Sequence, residues 1–190
     1  MSPLLRVAAW LDEARLSEDP EPEAMALATA DARGRPSVRI VLCRGVDGRG
    51  LRFFTNYESR KGDELGENPH AAVAFHWPSL GRQLRLEGGT ERLSAAESDT
   101  YFHGRPRGHQ ISALVSAQSR PIESIDGLRR KAQQETMRFE GHEVARPSYW
   151  GGYRLAPTVV EFWTRGQDRL HERIRFDLRD GAWMERRLAP

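Results

Sequence analysis

Side chains able to bind an anion are concentrated in four stretches of this sequence. The first, 39–44, begins and ends with arginine, and the second, 55–61, combines a threonine with Ser59-Arg60-Lys61. The other two, 101–119 and 161–173, mix arginine and histidine with aromatic and amide side chains. A hydroxyl, backbone N–H groups at a helix start and two cations, as in 55–61, would suit a phosphate dianion. These residues alone favour a protein that binds a phosphorylated ligand.

Several other chemistries lack the motifs that they need. The sequence contains neither the G-x-S-x-G elbow of serine hydrolases nor the H-E-x-x-H motif of zinc proteases. His103 and His109 are six positions apart, which is poor spacing for two metal ligands on one helix face. Cys43 is the single cysteine, which excludes an intrachain disulfide and a multi-cysteine zinc site. We therefore expect no metal centre.

Composition limits the class of protein. The chain has 190 residues, 38% hydrophobic and 29% charged, which is enough for the core of one domain over 1–190. No stretch approaches the roughly 18 uncharged apolar residues of a membrane helix, and the N-terminus lacks the pattern of a secretory signal. The net charge is +2, and the arginines are dispersed among acids, whereas nucleic-acid binding favours a clustered basic run. We expect a cytoplasmic protein that binds neither membrane nor nucleic acid.

The first half of the chain is predicted to form strands with a helix on each side. An amphipathic helix is predicted over 4–15, within an N-terminal segment 1–16, and a proline-bearing connector follows. Three β-rich runs at 24–31, 37–44 and 51–56 are separated by glycine-containing turns, which predicts a meander of antiparallel strands. Alternation places Arg39, Val41 and Cys43 on one face, with Cys43 in the core.

The next segments alternate between both kinds of element. Ser59 is a candidate N-cap for a helix that ends before Pro69. Further strands are predicted at 70–77 and 82–93, with a bulge or bend at Gly88-Gly89. Ser94 and Glu97 have the spacing of a capping box, which predicts a helix to about Phe102.

The last third begins with helices and ends with strands. Helices are predicted over 108–116 and 123–139, and a loop over 140–149. Strands at 153–163, 171–178 and 183–189 complete the chain, so that 140–190 supplies the C-terminal strands. The pattern is mainly β (α+β) without regular βαβ alternation, and no G-x-G-x-x-G precedes a helix. It favours a closed or partly closed antiparallel barrel with peripheral helices.

Seven stretches together resemble a known family. In chain order they are AMALATADARGRPSVRIVL, FFTNYESRKGDELGENP, GRQLRLEG, YFHGRPRGHQISALVSAQS, PSYWGGYRLAPTVVEFW, RLHERIRF and the terminal RLAP. The sequence resembles the pyridoxine/pyridoxamine 5′-phosphate oxidase family over 4–190. The resemblance implies an FMN-binding split β-barrel and a homodimer with FMN at the dimer interface.

The resemblance also implies the residues that hold the cofactor. Two groups, Arg39 and the pair Arg60-Lys61, match the family's ligands of the FMN phosphate, and Gln83 matches the glutamine that addresses the polar edge of the flavin. The full set implied for FMN is Arg39, Ile40, Val41, Leu42, Phe54, Thr55, Arg60, Lys61, Gln83, Gln118, Ser119, Trp163 and Arg173. In a dimeric site these groups would come from both subunits.

A second implied set holds the substrate. The substrate phosphate would be bound by residues that match Arg44, Tyr101, Arg105 and His109. Two of these depart from the family pattern, since the family usually has lysine at the position of Arg44 and serine at that of His109. An arginine fork is not equivalent to a lysine point charge, and an imidazole is bulkier than a hydroxyl and titrates. Arg169 and His171 match the pair that positions the pyridine ring, and we assign them to both substrate binding and catalysis.

The implied activity is oxidation of pyridoxine 5′-phosphate or pyridoxamine 5′-phosphate to pyridoxal 5′-phosphate, with oxygen as acceptor and peroxide as product. In such an enzyme the cofactor does the redox chemistry and the protein orients the substrate. Two alternatives remain open. One is a related flavin oxidase that acts on another substrate, such as a phenazine precursor, which the departures at Arg44 and His109 would favour. The other is a non-catalytic flavin-binding protein, because a scaffold does not guarantee an activity.

Overall fold

The fold is one antiparallel sheet flanked by helices, and the computed structural model describes residues 2–190. The helices are α1 (Leu4–Arg15), α2 (Arg60–Glu67), α3 (Ala95–His103), α4 (Arg107–Val115) and α5 (Ile125–Arg138). The strands are β1 (Ala24–Ala30), β2 (Pro36–Leu42), β3 (Val46–Asp47), β4 (Gly50–Asn56), β5 (His70–Trp77), β6 (Arg82–Arg92), β7 (Trp150–Thr164), β8 (Glu172–Arg179) and β9 (Ala182–Leu188). This confirms the predicted mainly-β class with peripheral helices.

The long strand β7 organises the sheet. The order is β2-β1-β5-β6-β7-β4-β3, and β8 also pairs with β7 and carries β9. Along one edge β7 pairs with β6, while the other edge is divided between β4 over 150–155 and β8 over 159–164. The sheet therefore splits in the middle of β7, and the C-terminal strands diverge from the rest.

The predicted meander is wrong for its third strand. β1 and β2 form the expected hairpin, but β4 pairs with β7 and with the short strand β3 instead of with β2. Five of the seven β4 residues are buried, and they lie on both faces of the strand, which suits an interior position. A short apolar run indicates burial but does not identify its pairing partner.

Local sequence signals position the helices that surround the site. The Ser59 side chain accepts from the backbone of Gly62 at the start of α2, and Ser94 and Glu97 form the predicted capping box of α3.

The predicted bulge lies between Glu87 and Gly88, where a Cβ on Gly88 would lie 2.1 Å from the carbonyl oxygen of Ala156. Only glycine permits that approach of two strands.

Two apolar clusters stabilise the fold. The larger one packs α1, through residues such as Val7, Trp10 and Leu11, against the inner face of the sheet. The smaller one joins α3, α4 and the start of β7 through Phe102, Ile111 and Trp150. The smaller cluster places the α3–α4 connection beside β4, and this junction forms one wall of the site.

Candidate functional site

A cleft of about 780 Å³ lies between β2, β4, α2 and the α3–α4 connection; we call it the main cleft. Its lining includes many of the side chains that the sequence predicted for binding. The predicted residues that line it are Arg39, Ile40, Val41, Leu42, Arg44, Phe54, Thr55, Lys61, Tyr101, Arg105, His109 and Gln118. Residues from distant parts of the chain thus meet at one place.

Lys61 provides a buried positive charge in the lining of the main cleft. Its side chain is 8% exposed, and its ammonium donates to Gln118 Oε1 at 2.7 Å, Thr55 Oγ1 at 3.1 Å and Ser59 Oγ at 3.2 Å. Burial and, to a smaller extent, the positive charge of Arg39 together lower the pKa of Lys61 to about 8, against the opposing effect of Glu64. A cation surrounded by neutral oxygens is available to an anion.

Arg39 is held beside Lys61 by a buried carboxylate. Its guanidinium donates to Thr29 Oγ1 at 2.6 Å and to Glu64 Oε2 at 3.2 Å. Burial opposes ionisation of Glu64, but hydrogen bonds from Ser37, Thr29 and the two arginines Arg60 and Arg39 outweigh it and hold its pKa at about 2. Glu64 therefore stays charged and fixes the orientation of Arg39.

Arg105 is the second cation of the main cleft, and it is half-buried. Among residues 2–190, its Nη1 is buried and has no hydrogen-bond partner. The guanidinium lies over the ring of Trp150, 4.5 Å from its centroid. Burial lowers the pKa of Arg105, and the positive charge of Arg44 also lowers it, whereas Tyr101 raises it. A buried, unpaired guanidinium nitrogen marks a position where an anionic oxygen would fit.

The other three residues predicted to bind the substrate phosphate line the same cleft as Arg105. The ring of Tyr101 stacks on Phe54 with centroids 3.7 Å apart, which forms an aromatic wall. Arg44 donates to Glu23 Oε2 at 2.7 Å, so one face of its fork is occupied by a carboxylate. His109 lies at the exposed start of α4 and lines the main cleft.

The remaining predicted residues form a separate group, the strand-end cluster, which consists of Gln83, Trp163, Arg169, His171 and Arg173. Gln83 is opposite Trp163 on β6 and β7, and Trp163 is opposite Arg173 on β8. The ring of His171 lies 4.6 Å from that of Trp163. In the described chain, this cluster does not contribute to the lining of the main cleft.

A tight turn positions Arg169 and His171 within the strand-end cluster. The Gly166 backbone N–H donates to His171 Nδ1 at 3.2 Å, so a neutral imidazole carries its proton on Nε2. Arg169 has φ 64°, a left-handed conformation that is uncommon for a residue with a side chain. A Cβ on Gly166 would lie 1.9 Å from the carbonyl oxygen of Leu170. Glycine is therefore required for this turn.

Arg60 and Ser119 lie outside the main cleft in the described residues. Arg60 donates to Glu64 Oε1 at 2.9 Å and lines a shallow depression with Asp31 and Asp63. Ser119 follows Gln118 with φ 69°, on the exposed segment after α4. Arg60 contacts the carboxylate that orients Arg39, so its contact with the site is indirect in this structure.

Sequence reasoning missed two residues that shape the site. Trp150 supports both Phe54 and Arg105, and Glu64 anchors Arg39. The signal for Trp150 was an aromatic residue directly before Gly151-Gly152, where β7 begins. Glu64 carried no comparable signal, because an acidic residue in a helix is usually solvated.

Comparison with known proteins shows the family to which this chain belongs. Residues 11–139 match the family model described as "Pyridoxamine 5'-phosphate oxidase", and residues 150–190 match the "Pyridoxine 5'-phosphate oxidase C-terminal dimerisation region". The chain belongs to the pyridoxamine 5′-phosphate oxidase family. The second match indicates that the chain forms a homodimer, and it covers β7, β8 and β9.

Relatives within the family cover almost the whole chain. The pyridoxine/pyridoxamine 5′-phosphate oxidase of Cupriavidus taiwanensis is 51% identical over 99% of this chain and 89% of its own length. The enzyme of the same name from Salinibacter ruber is 50% identical over the same shares.

Solved structures share the fold. PhzG from Burkholderia lata 383, in complex with tetrahydrophenazine-1-carboxylic acid, has a TM-score of 0.95 and 34% identity over 100% of this chain and 93% of that chain. A pyridoxamine 5′-phosphate oxidase-related, FMN-binding protein from Nostoc punctiforme has a TM-score of 0.80 and 19% identity over 100% and 99% of the two chains. The predicted FMN-binding split-barrel fold is thereby confirmed.

Residues 2–190 contain neither a membrane-spanning helix nor a cluster of metal-binding side chains. No helix there is both long and apolar enough to cross a membrane. No group of three or more His, Cys, Asp or Glu side chains in the same range is arranged to hold a metal ion.

Proposed function

We propose that this chain is an FMN-dependent oxidase that converts pyridoxine 5′-phosphate or pyridoxamine 5′-phosphate to pyridoxal 5′-phosphate, with oxygen as acceptor and peroxide as product. The observation that carries the proposal is that one cleft contains two cations without carboxylate partners. Lys61 is buried and donates to neutral oxygens, and Arg105 is half-buried, with an Nη1 that has no hydrogen-bond partner among residues 2–190. Two phosphate groups, one on the cofactor and one on the substrate, would satisfy them.

The end of the main cleft at Lys61 suits the phosphate of FMN. Lys61 supplies a charge whose present partners are hydroxyl and amide oxygens, and Arg39 supplies a second charge beside it. Glu64 prevents Arg39 from swinging away because it accepts from the guanidinium at 3.2 Å. Thr55 adds a hydroxyl that can reorient toward a phosphate oxygen. We assign Lys61, Arg39 and Thr55 as FMN ligands, with Arg60 acting through Glu64.

The end at Arg105 suits the phosphate of the substrate. Its unpaired Nη1 and the nearby Arg44 provide the charge, and Tyr101 provides a phenol hydroxyl at the same wall. Gln110 fixes the α3–α4 connection, because its amide donates to the carbonyl oxygens of His103 at 3.2 Å and Arg105 at 3.0 Å. His109 replaces a hydroxyl with an imidazole that can also donate to phosphate.

The strand-end cluster completes the site from the second subunit of a homodimer. Three apolar side chains of β2 support an interface beside the main cleft, because Val38 is 68% exposed and Ile40 is 65% exposed, with Leu42 on the same face. A two-fold dimer that covered this face would bring each main cleft to its partner's strand-end cluster. FMN would then lie at the interface, with Gln83, Trp163 and Arg173 as its ligands from the second subunit.

Bound FMN would supply the redox chemistry, as acceptor of a hydride equivalent from the 4′ carbon of the substrate, with oxygen as the final electron acceptor and peroxide as the product. The alcohol gives the aldehyde directly, and the amine gives an imine that water converts to aldehyde and ammonia. The contribution of the chain is orientation. Arg105 and Arg44 hold the phosphate end of the substrate, while Arg169 and His171 hold its ring. Because His171 Nδ1 accepts from Gly166, its Nε2 proton is free to donate to a ring substituent.

A phenazine-type substrate is the second candidate, and the similarity to PhzG favours it. That protein shares 34% identity with this chain, whereas the curated pyridoxine/pyridoxamine phosphate oxidases share about 50%. The unpaired nitrogen of Arg105 suits a phosphate or a carboxylate alike, so the higher identity to the curated oxidases decides between the two candidates. The vitamin B6 substrate is therefore the better match.

Anaerobic mixing distinguishes these substrates. FMN-loaded protein is mixed without oxygen with pyridoxamine 5′-phosphate, with pyridoxine 5′-phosphate, or with tetrahydrophenazine-1-carboxylic acid. We expect the phosphorylated substrates to bleach the visible absorbance of the flavin, and oxygen to restore it. Bleaching by the phenazine compound alone would support the second candidate, and no bleaching by any of them would indicate a binding protein.

A further inference from the structure

Glu23 lies next to Arg44, and the proposed function gives it no role. It directly precedes β1, and the Cys43 backbone N–H donates to its carbonyl oxygen at 2.9 Å, which continues the pairing of β1 with β2 by one residue. The preceding residue is also anchored, because the indole N–H of Trp77 donates to the carbonyl oxygen of Pro22 at 2.9 Å. The backbone of Glu23 is therefore fixed beside the end of the strand that leads to Arg44.

Arginines occupy both carboxylate oxygens of Glu23. Oε2 accepts from Arg44 Nη1 at 2.7 Å, and Oε1 accepts from Arg15 Nε at 3.1 Å and from Arg15 Nη2 at 2.7 Å. Arg15 lies in the last turn of α1 and is itself held there, since its Nη1 donates to Asp12 at 2.8 Å. The carboxylate of Glu23 consequently keeps its position without depending on Arg44 alone.

The guanidinium of Arg44 retains donors that Glu23 does not use. Among residues 2–190, Nη1 is its only side-chain nitrogen with a hydrogen-bond acceptor. Arg44 lines the main cleft, and its positive charge reaches Arg105, since it contributes to the lowered pKa of that residue. A planar guanidinium can therefore contact the carboxylate through one nitrogen and a substrate phosphate through another.

A lysine in place of Arg44 would not divide its charge in this way. An ammonium group is a compact point charge with a single nitrogen. The fixed carboxylate of Glu23 would attract that nitrogen whether or not a substrate is bound, and the attraction is strong because the Glu23 side chain is only 27% exposed. Such a lysine would pair with Glu23 and leave the phosphate with one donor fewer.

We propose that Glu23 is a positioning residue for the substrate phosphate, because it holds one nitrogen of Arg44 and thereby makes the site depend on arginine rather than lysine at position 44. The inference rests on the proposed function, since the phosphate is that of the substrate. Without the carboxylate, an ammonium group at position 44 is free to contact the phosphate. Glu23 thus determines which cation the site can use, although it does not contact the substrate.

A double-mutant cycle tests the inference. FMN-loaded wild-type protein, Arg44→Lys, Glu23→Gln and Arg44→Lys/Glu23→Gln are titrated by calorimetry with 4-deoxypyridoxine 5′-phosphate, a substrate analogue in which a methyl group replaces the oxidisable alcohol. We expect Arg44→Lys to weaken binding about tenfold in the wild-type background and less than about threefold in the Glu23→Gln background. Rescue of the lysine by removal of one negative charge is not expected of a residue that only stabilises the fold.

Glu21, an exposed acid of the same connector, provides the charge-matched control. Arg44→Lys/Glu21→Gln should bind the analogue as weakly as Arg44→Lys does. If Arg44→Lys weakens binding by the same factor in the wild-type and Glu23→Gln backgrounds, or does not weaken it at all, the inference is overturned. Should Glu23→Gln fail to fold, Glu23→Ala takes its place in the cycle and its outcomes have the same meaning.

The titration also separates this inference from the proposed function. The analogue binds without turnover, so the cycle gives its result even if pyridoxine 5′-phosphate and pyridoxamine 5′-phosphate are not oxidised. In that case the proposed activity fails while the role of Glu23 is still decided. Wild-type protein that does not bind the analogue would overturn both.

Discussion

The ammonium nitrogen of Lys61 lies 2.7 Å from the side-chain oxygen of Gln118, and this contact joins α2 to the segment after α4. The two residues are 57 positions apart in the chain, yet both belong to the set assigned to FMN. The remaining partners of Lys61 are hydroxyl groups, which are neutral. A phosphate would therefore be the first full negative charge to contact this lysine directly.

The affinity for FMN is predicted to fall above pH 8. Burial lowers the pKa of Lys61 to about 8, and a bound phosphate favours the protonated form. The dissociation constant should be nearly constant between about pH 7 and 8, where the FMN phosphate is a dianion, and rise by up to about tenfold per pH unit above pH 8. Quenching of flavin fluorescence during titration at each pH measures the effect.

Arginine at position 61 is the control for this pH dependence. Lys61→Arg keeps a positive charge throughout the range, so its dissociation constant should not rise above pH 8. Lys61→Ala should weaken FMN binding about 10- to 100-fold at neutral pH, which is the usual contribution of a charged hydrogen bond. An identical alkaline slope in Lys61→Arg would contradict the assignment of the titrating group.

Glu64→Gln is predicted to destabilise the fold and alter its acid response. The folded protein lowers the pKa of Glu64 from 4.5 to about 2, so its contribution to stability is full above 4.5 and is lost as pH falls through 2. The amide cannot pair with both Arg39 and Arg60, and the free energy of unfolding should drop by about 1–3 kcal/mol at neutral pH.

Urea unfolding at neutral and acidic pH measures both effects. The difference between the wild-type protein and Glu64→Gln should shrink as the pH is lowered from 4.5. Glu67→Gln, at an exposed position of the same helix, should have a much smaller effect. A constant difference at every pH would show that the carboxylate charge of Glu64 does not stabilise the fold.

Gly166→Ala is predicted to reduce turnover while FMN stays bound. The added Cβ would lie 1.9 Å from the carbonyl oxygen of Leu170, so the turn that carries Arg169 and His171 must change shape. The hydrogen bond from Gly166 to His171 would then be lost. We expect kcat to fall about tenfold or more. Gly48→Ala is the control, because an added Cβ there has nothing within 4 Å, and it should leave kcat unchanged. Equal rates for the two variants would refute the role of the turn.

Mixed dimers test whether each site takes residues from both subunits. Arg169→Leu should abolish most turnover but retain FMN, and Lys61→Ala should lose FMN affinity. In a dimer with one subunit of each kind, one site combines an intact Lys61 with an intact Arg169 only if those residues come from different subunits. Random reassociation should then restore about one quarter of the wild-type activity. No recovery above that of the parent variants would show that each site lies within one subunit.

Local patterns predicted the elements of this fold well, because each depends on neighbours in the sequence. The capping residues Ser59 and Ser94, the bulge at Gly88 and the alternation around Arg39 all follow from short-range sterics and hydrogen bonding. The partner of β4 could not be predicted in this way, since pairing with β7 depends on residues about 100 positions away.

The sequence predicted which residues belong to the site. It did not predict which of them would face the same ligand. The resemblance assigned Arg60 and Lys61 to one phosphate, but the structure directs Lys61 into the main cleft and Arg60 toward Glu64. Adjacent residues on a helix point about 100° apart, so they rarely serve one ligand equally. Trp150 and Glu64 act by holding other side chains, and such supporting roles have no signature in a single sequence.

The central claim is best tested by aerobic turnover of the FMN-loaded protein with pyridoxine 5′-phosphate and pyridoxamine 5′-phosphate, each supplied separately and followed by the absorbance of the aldehyde product. We predict formation of pyridoxal 5′-phosphate from at least one of them, with one equivalent of peroxide per aldehyde. Absence of aldehyde from both substrates, with FMN demonstrably bound, would contradict the account.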